Sequence, residues 1–169
     1  LHMEDYFAKR YMNENIDIIQ NWACEPLLGN YSKYLENKNV LVISPFSEDI
    51  EKQYKNKDKL FIDKSILPNF NLITIKAPLT QGEEEILDYD SWFTSLEEMK
   101  EKMRNIDFDI LLVGAGAYGM HLAIYAKELG KKAIQSGGAT QTLFGIIGKI
   151  CVYLHRISRN RNFNLINLE

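Results

Sequence analysis

The chain has 169 residues, 46% hydrophobic and 25% charged, with a formal net charge of −3. That is the length of one globular domain with enough chain to bury a core, and its charge excludes a nucleic-acid binder that runs on bulk positive potential. No apolar run approaches the roughly 18 residues of a membrane span, and no signal-peptide pattern opens the chain.

Residues 4–21 space Tyr6, Phe7, Tyr11, Ile16 and Ile19 as one face of a helix, with Glu4 and Asp5 suited to its N-terminus. Leu1-His2-Met3 reads as a cloning remnant, so the domain is taken as 4–169, with a fragment of a longer protein as the alternative. Cys24 and Cys151 stand far apart without a CxxC partner. They fit a reducing, cytoplasmic setting better than a disulfide scaffold. After Pro26 and Gly29, Tyr31–Leu35 suggests a short helical turn.

Val40-Leu41-Val42-Ile43 is a continuous apolar run of the kind buried on both faces of a parallel sheet. Pro45 ends it, and Ser47 is the expected N-cap of a charged helix from about Glu48 to Phe61 with Ile50, Tyr54 and Leu60 inward. Asn71–Lys76 is the second strand. The acids Glu83, Glu84, Glu85, Asp88 and Asp90 follow it; they read as a solvated loop, with a divalent metal site as the alternative. Residues 91–106 form an amphipathic helix through Trp92, Phe93, Leu96, Met99, Met103 and Ile106, capped by Asp90 or Ser91.

Ile110–Val113 is the third strand, and it breaks at once into Gly114-Ala115-Gly116-Ala117-Tyr118-Gly119. A helix follows and ends at Gly130, then a strand through Lys132-Ala133-Ile134, then a second glycine turn at Ser136-Gly137-Gly138-Ala139-Thr140-Gln141. Strand alternating with helix four times predicts a Rossmann-like three-layer α/β fold whose mostly parallel sheet has about four to five strands. Both glycine turns then open at the carboxyl edge of the sheet, where open α/β folds bind ligands.

Gly114-x-Gly116-x-x-Gly119 has the spacing of the dinucleotide fingerprint, and its glycines let backbone N–H groups approach a phosphate. The fingerprint also wants an acid roughly 20 residues on, at the end of the next strand, to hold a ribose. That strand ends Ile134-Gln135-Ser136-Gly137, without an acid, so neither NAD nor FAD is expected. Tyr118 offers a ring to a base or sugar. His121, on the first turn of the helix, reaches a phosphate or simply packs. Gly137, Gly138, Thr140 and Gln141 make a second anion or sugar site beside the first. In the tail, His155, Arg156, Arg159 and Arg161 form a basic cluster that reads first as a solvated helix end.

The run GAGAYGMHLAIYAKELGKKAIQSGGATQTLFGIIGK, with FDILLV before it and NVLVISPFSEDIEKQYKNKDKLF upstream, resembles a family of bacterial proteins found with capsule and surface-polysaccharide genes. The similarity covers roughly residues 38–149, and the layout also looks like GT-D-type glycosyltransferases. The resemblance implies ligand contacts at Gly114, Gly116, Tyr118, Gly119, Gly138, Ala139, Thr140 and Gln141. It implies a nucleotide-sugar donor, a glycan acceptor and a divalent metal such as Mn²⁺ or Mg²⁺. Members usually continue G-K-R-W where this chain has Gly148-Lys149-Ile150-Cys151, and they tend to have an additional N-terminal segment with acids for a metal or a base, which is not recognised in these residues. The catalytic base and the metal ligands are therefore not assigned. The expected function is a glycosyltransferase of surface-polysaccharide biosynthesis, with a homo-oligomer open. The alternatives are a non-catalytic nucleotide- or sugar-binding module and a dinucleotide-dependent oxidoreductase.

Overall fold

The computed structural model describes residues 31–61, 63–79 and 91–146. The N-terminal aromatic helix, both cysteines, the acids from Glu83 to Asp90 and the basic tail lie outside these residues. Among those described, the order is β1 (Asn39–Ser44), α1 (Ser47–Lys55), β2 (Asn71–Lys76), α2 (Trp92–Arg104), β3 (Ile110–Val113), α3 (Gly119–Glu128), β4 (Lys132–Gln135) and α4 (Gly138–Leu143). A 3₁₀ turn at Tyr31–Leu35 precedes β1.

The strands form one four-stranded sheet in the order β2-β1-β3-β4, every pair parallel. Parallel neighbours need crossovers, and α1, α2 and α3 supply them by burying an apolar stripe on the sheet, while α4 follows the last strand. Side chains alternate along each strand, so Leu41, Ile43, Leu111 and Val113 share one face with Leu96, Met99 and Met103 of α2 and Leu122 and Ala126 of α3. Val40, Val42, Ile110 and Leu112 point the other way, to Ile50 of α1 and Leu143 and Phe144 next to them. Both faces of β1 and β3 are covered, which is why their sequences are apolar without alternation. Fully burying one such aliphatic side chain contributes about 1.5–3 kcal/mol. The α/β Rossmann-like architecture expected from the sequence is the one observed.

Local chemistry sets the helix ends. The Ser91 hydroxyl accepts from the Thr94 N–H at 3.1 Å and caps α2. At the end of α3 the Gly130 N–H donates to the Lys127 carbonyl and the Lys131 N–H to Ala126, both at 2.9 Å, the paired bonds of a Schellman turn.

The first charged helix departs from expectation at both ends. Ser47 is its first helical residue and is buried, and Phe46 precedes it without a side-chain cap. The helix stops at Lys55, short of Phe61, where the Asn56 amide donates to the Lys52 carbonyl at 3.1 Å. A 3₁₀ turn at Lys57–Lys59 then re-aims the chain, so that Leu60 and Phe61 both enter the core on the α1 side. The polar surface of residues 48–59 gives no sign of that change of direction.

Candidate functional site at the carboxyl edge of the sheet

Chain order reverses between β1 and β3: β2 lies on one side of β1, while β3 and β4 lie on the other. Loops leaving the carboxyl ends of such a strand pair diverge to opposite faces and leave a crevice, the usual ligand position in open α/β sheets. The loop after β3 is the first glycine turn, and the second leaves β4 next to it.

The two turns are pressed together. Gly114 has the strand parity of Leu112 and so faces α4. A Cβ built there would lie 2.5 Å from the Gly137 carbonyl oxygen and 2.8 Å from Cβ and Oγ1 of Thr140. Only a residue without a side chain lets the loops touch. Thr140 is itself buried, with its hydroxyl 2.6 Å from that of Ser136. Gly116 is exposed with φ at +52°, a conformation that costs a side-chain-bearing residue energy. From Gly116 a short 3₁₀ turn to Tyr118 runs directly into α3. The N–H groups of Gly116 and Ala117 lie ahead of the first intrahelical bonds, in residues that are both exposed.

The sequence candidates divide into two sets. Gly116, Gly138 and His121 are exposed, and Gly114, Gly137 and Gln141 are partly so. Space within 4 Å of a Cβ at Gly137 or Gly138 is open, so a ligand can reach that backbone. Gly119, Ala139 and Thr140 are buried, and they build the loops from beneath. Tyr118 is fully buried, its ring stacked on Trp92 with centroids 5.0 Å apart and planes 10° from parallel, and its hydroxyl has no hydrogen-bond partner. The ring proposed to stack on a base is thus already stacked on the first residue of α2. His121 meets the edge of the same indole at 5.2 Å.

Two further residues belong to this edge. Tyr31, partly buried against the α1 side of the core, sets its phenol beside Ser136. Burial pushes the phenol up to about 12, offset in part by the Ser136 hydroxyl, although the phenol oxygen completes no hydrogen bond of good geometry. Gln135, the last residue of β4, lays its side chain along Gly119, where a Cβ would meet Nε2 at 3.1 Å and Cγ at 3.2 Å. In the sequence Gln135 stands out only as the residue where a dinucleotide fold has an acid. Its contact with a glycine sixteen positions earlier depends on the β3–β4 register that pairs Val113 with Gln135.

Set against family models, curated proteins and solved structures, the chain matches none. Among the described residues, no group of three or more His, Cys, Asp or Glu side chains comes together to hold a metal ion. The acids suggested for that role, Glu83 to Asp90, are outside them. No helix among the described residues is long and apolar enough to cross a membrane.

What remains is a site made of backbone. It presents N–H groups at the start of a ten-residue helix and open glycine main chain beside them. Such a surface stabilises an anionic group through oriented dipoles without a fixed cation.

Proposed function

We propose that this protein binds a nucleotide sugar across the two glycine turns and transfers its sugar to a glycan acceptor. The observation that carries the reading is the contact of Gly114 with Gly137 and Thr140, which joins the loops after β3 and β4 into one surface beside the β1/β3 reversal. One phosphate of a diphosphate rests on the Gly116–Ala117 N–H groups and the first turn of α3. The other lies toward the open backbone of Gly138. Charge that accumulates on the leaving diphosphate as the sugar departs is then stabilised by dipoles already in place, the main contribution such a surface makes to a transition state. The choice of a sugar-linked ligand and a polysaccharide setting rests on the resemblance of residues 38–149 to the capsule-locus family.

The test is a thermal-shift screen of the full chain against UDP-, GDP- and CMP-sugars and NAD, with and without Mn²⁺ or Mg²⁺. A ligand that binds only the folded state at 100 times its Kd adds about 2.7 kcal/mol of stability. Stabilisation by a nucleotide sugar, lost in a folded Gly138→Val variant, is the expected result. Sugar release or transfer from that donor then separates a transferase from a binding module. Stabilisation by NAD alone would replace this reading with a dinucleotide enzyme.

A further inference from the structure

We infer that Trp92, which belongs to neither glycine turn, is a positioning residue for the first: it clamps Tyr118 and so fixes the Gly116 and Ala117 N–H groups that receive a phosphate. This rests on the nucleotide reading above and uses only its diphosphate. Between β3 and α3 the turn is fastened at two places. Ala115 and Tyr118 are 2% and 0% exposed, while Gly116 and Ala117 between them are exposed. On the first side a methyl group is followed by Gly116 at φ +52°, where no side chain restrains the backbone. Tyr118 is the firmer anchor, because its N–H closes the turn on the Ala115 carbonyl at 3.1 Å and its ring enters the core. Its buried hydroxyl has no hydrogen-bond partner. The ring is therefore held by packing alone, and its flat partner is the Trp92 indole, 5.0 Å away with planes 10° apart.

The indole is itself braced. It starts α2 directly after the Ser91 cap, lies partly buried against the core, and stands edge to face with Phe93 and His121 at 5.1 and 5.2 Å. His121 lies on the first turn of α3. One side chain of α2 thus touches the anion surface twice, under the turn through Tyr118 and beside the helix start through His121. Backbone dipoles stabilise an anion only while they point at it, and a hydrogen bond weakens steeply once its angle falls below roughly 120°. Without the indole one face of Tyr118 loses its packing atoms, the ring shifts to refill the gap, and the two N–H groups turn with it. Affinity for the phosphate then depends on a residue that never contacts it.

The experiment is calorimetric titration of the full chain with inorganic diphosphate, UDP and GDP, in wild type, Trp92→Leu, Trp92→Phe, Met103→Ala and Gly116→Val. One misdirected hydrogen bond to a charged group weakens binding about tenfold or more. Trp92→Leu is expected to lose that much for whichever of the three the wild type binds. Trp92→Phe keeps a flat ring against Tyr118 and should stay near the wild type. Met103→Ala hollows the core at the far end of α2, about 16 Å along the helix. It should bind as the wild type does despite a lower melting temperature, whereas Gly116→Val should bind weakly. Equal affinity in wild type and Trp92→Leu, with Gly116→Val impaired, overturns the role of Trp92 and leaves the anion site standing. A loss in Trp92→Phe or Met103→Ala as large as that in Trp92→Leu also overturns it, since it marks a general effect of a weakened core. A second readout needs no change at Trp92: in Trp22→Phe it is the one indole left. Its fluorescence should change as the bound compound is added, with the midpoint given by calorimetry. Fluorescence that does not respond overturns the role even if Trp92→Leu fails to fold. A wild type that binds none of the three overturns the nucleotide reading, and this inference with it.

Discussion

Replacing Gly114 with alanine tests whether the two glycine turns form one packed unit. The added methyl would sit 2.5 Å from a backbone carbonyl oxygen and 2.8 Å from two atoms of buried Thr140. None of these is the free end of a flexible side chain, so relief requires the loops after β3 and β4 to separate. Overpacking of a closed contact costs about 1–3 kcal/mol. For a chain of this size each kcal/mol shifts the melting temperature by about 2–4 °C, so Gly114→Ala should melt roughly 2–12 °C below the wild type. Gly138→Ala is the matched control. It adds the same methyl to the neighbouring turn, where nothing lies within 4 Å and φ is not positive, so it should stay within about 0.5 kcal/mol of the wild type. Urea unfolding followed by circular dichroism reads both. If Gly114→Ala proves as stable as Gly138→Ala, the turns are not in contact, and the joined surface assigned to the ligand is lost.

Two other outcomes follow from side-chain oxygens in the core on the α1 side. The Tyr54 hydroxyl accepts from the Phe70 N–H at 2.7 Å and donates to the Phe70 carbonyl at 2.8 Å, while its ring stacks on that of Phe70. Tyr54→Phe keeps the ring but leaves the Phe70 amide unpaired, and urea unfolding should show a loss of about 1–3 kcal/mol. Tyr31 provides a pH signature: its phenol stays protonated in the folded state up to about 12, whereas in the unfolded chain it ionises from its usual 10.0. The unfolded state then holds fewer protons, so this group's contribution is complete below pH 10 and falls away as the pH rises to 12. The stability of the wild type relative to Tyr31→Phe should be flat below pH 10 and fall above it; a relative stability that does not change with pH refutes the buried phenol.

The fold was legible where one physical signal acted alone. Val40–Ile43 and Ile110–Val113 are apolar because both faces of those strands are covered, and α2 shows its Ser91 cap and its buried stripe through Leu96, Met99 and Met103 in the residue order, although Phe93, expected in that stripe, is exposed. Signals failed where distant residues decide. The end of α1 is set by the demand of the core for Leu60 and Phe61, against a charged stretch that reads as uninterrupted helix. In the candidate site, the glycine spacing located both turns, but the direction of Tyr118 depends on Trp92 in another helix, and the contact of Gln135 with Gly119 on a strand register. Sequence periodicity carries neither.

The order of strands also has a kinetic consequence. The contact between β1 and β2 bridges residues 32 apart, as at Asn39 and Asn71, whereas that between β1 and β3 bridges 70, as at Asn39 and Asp109. Closing the longer loop costs about 0.7 kcal/mol more in chain entropy, and pairings so remote in sequence slow folding. The crevice exists only once that remote pairing has formed. A partly folded molecule can hold β3, α3 and β4 with both glycine turns and still lack the β1 wall. A ligand that needs the β1 wall would bind only after the β1–β3 pairing has formed, which would make binding a stricter test of complete folding than helix content.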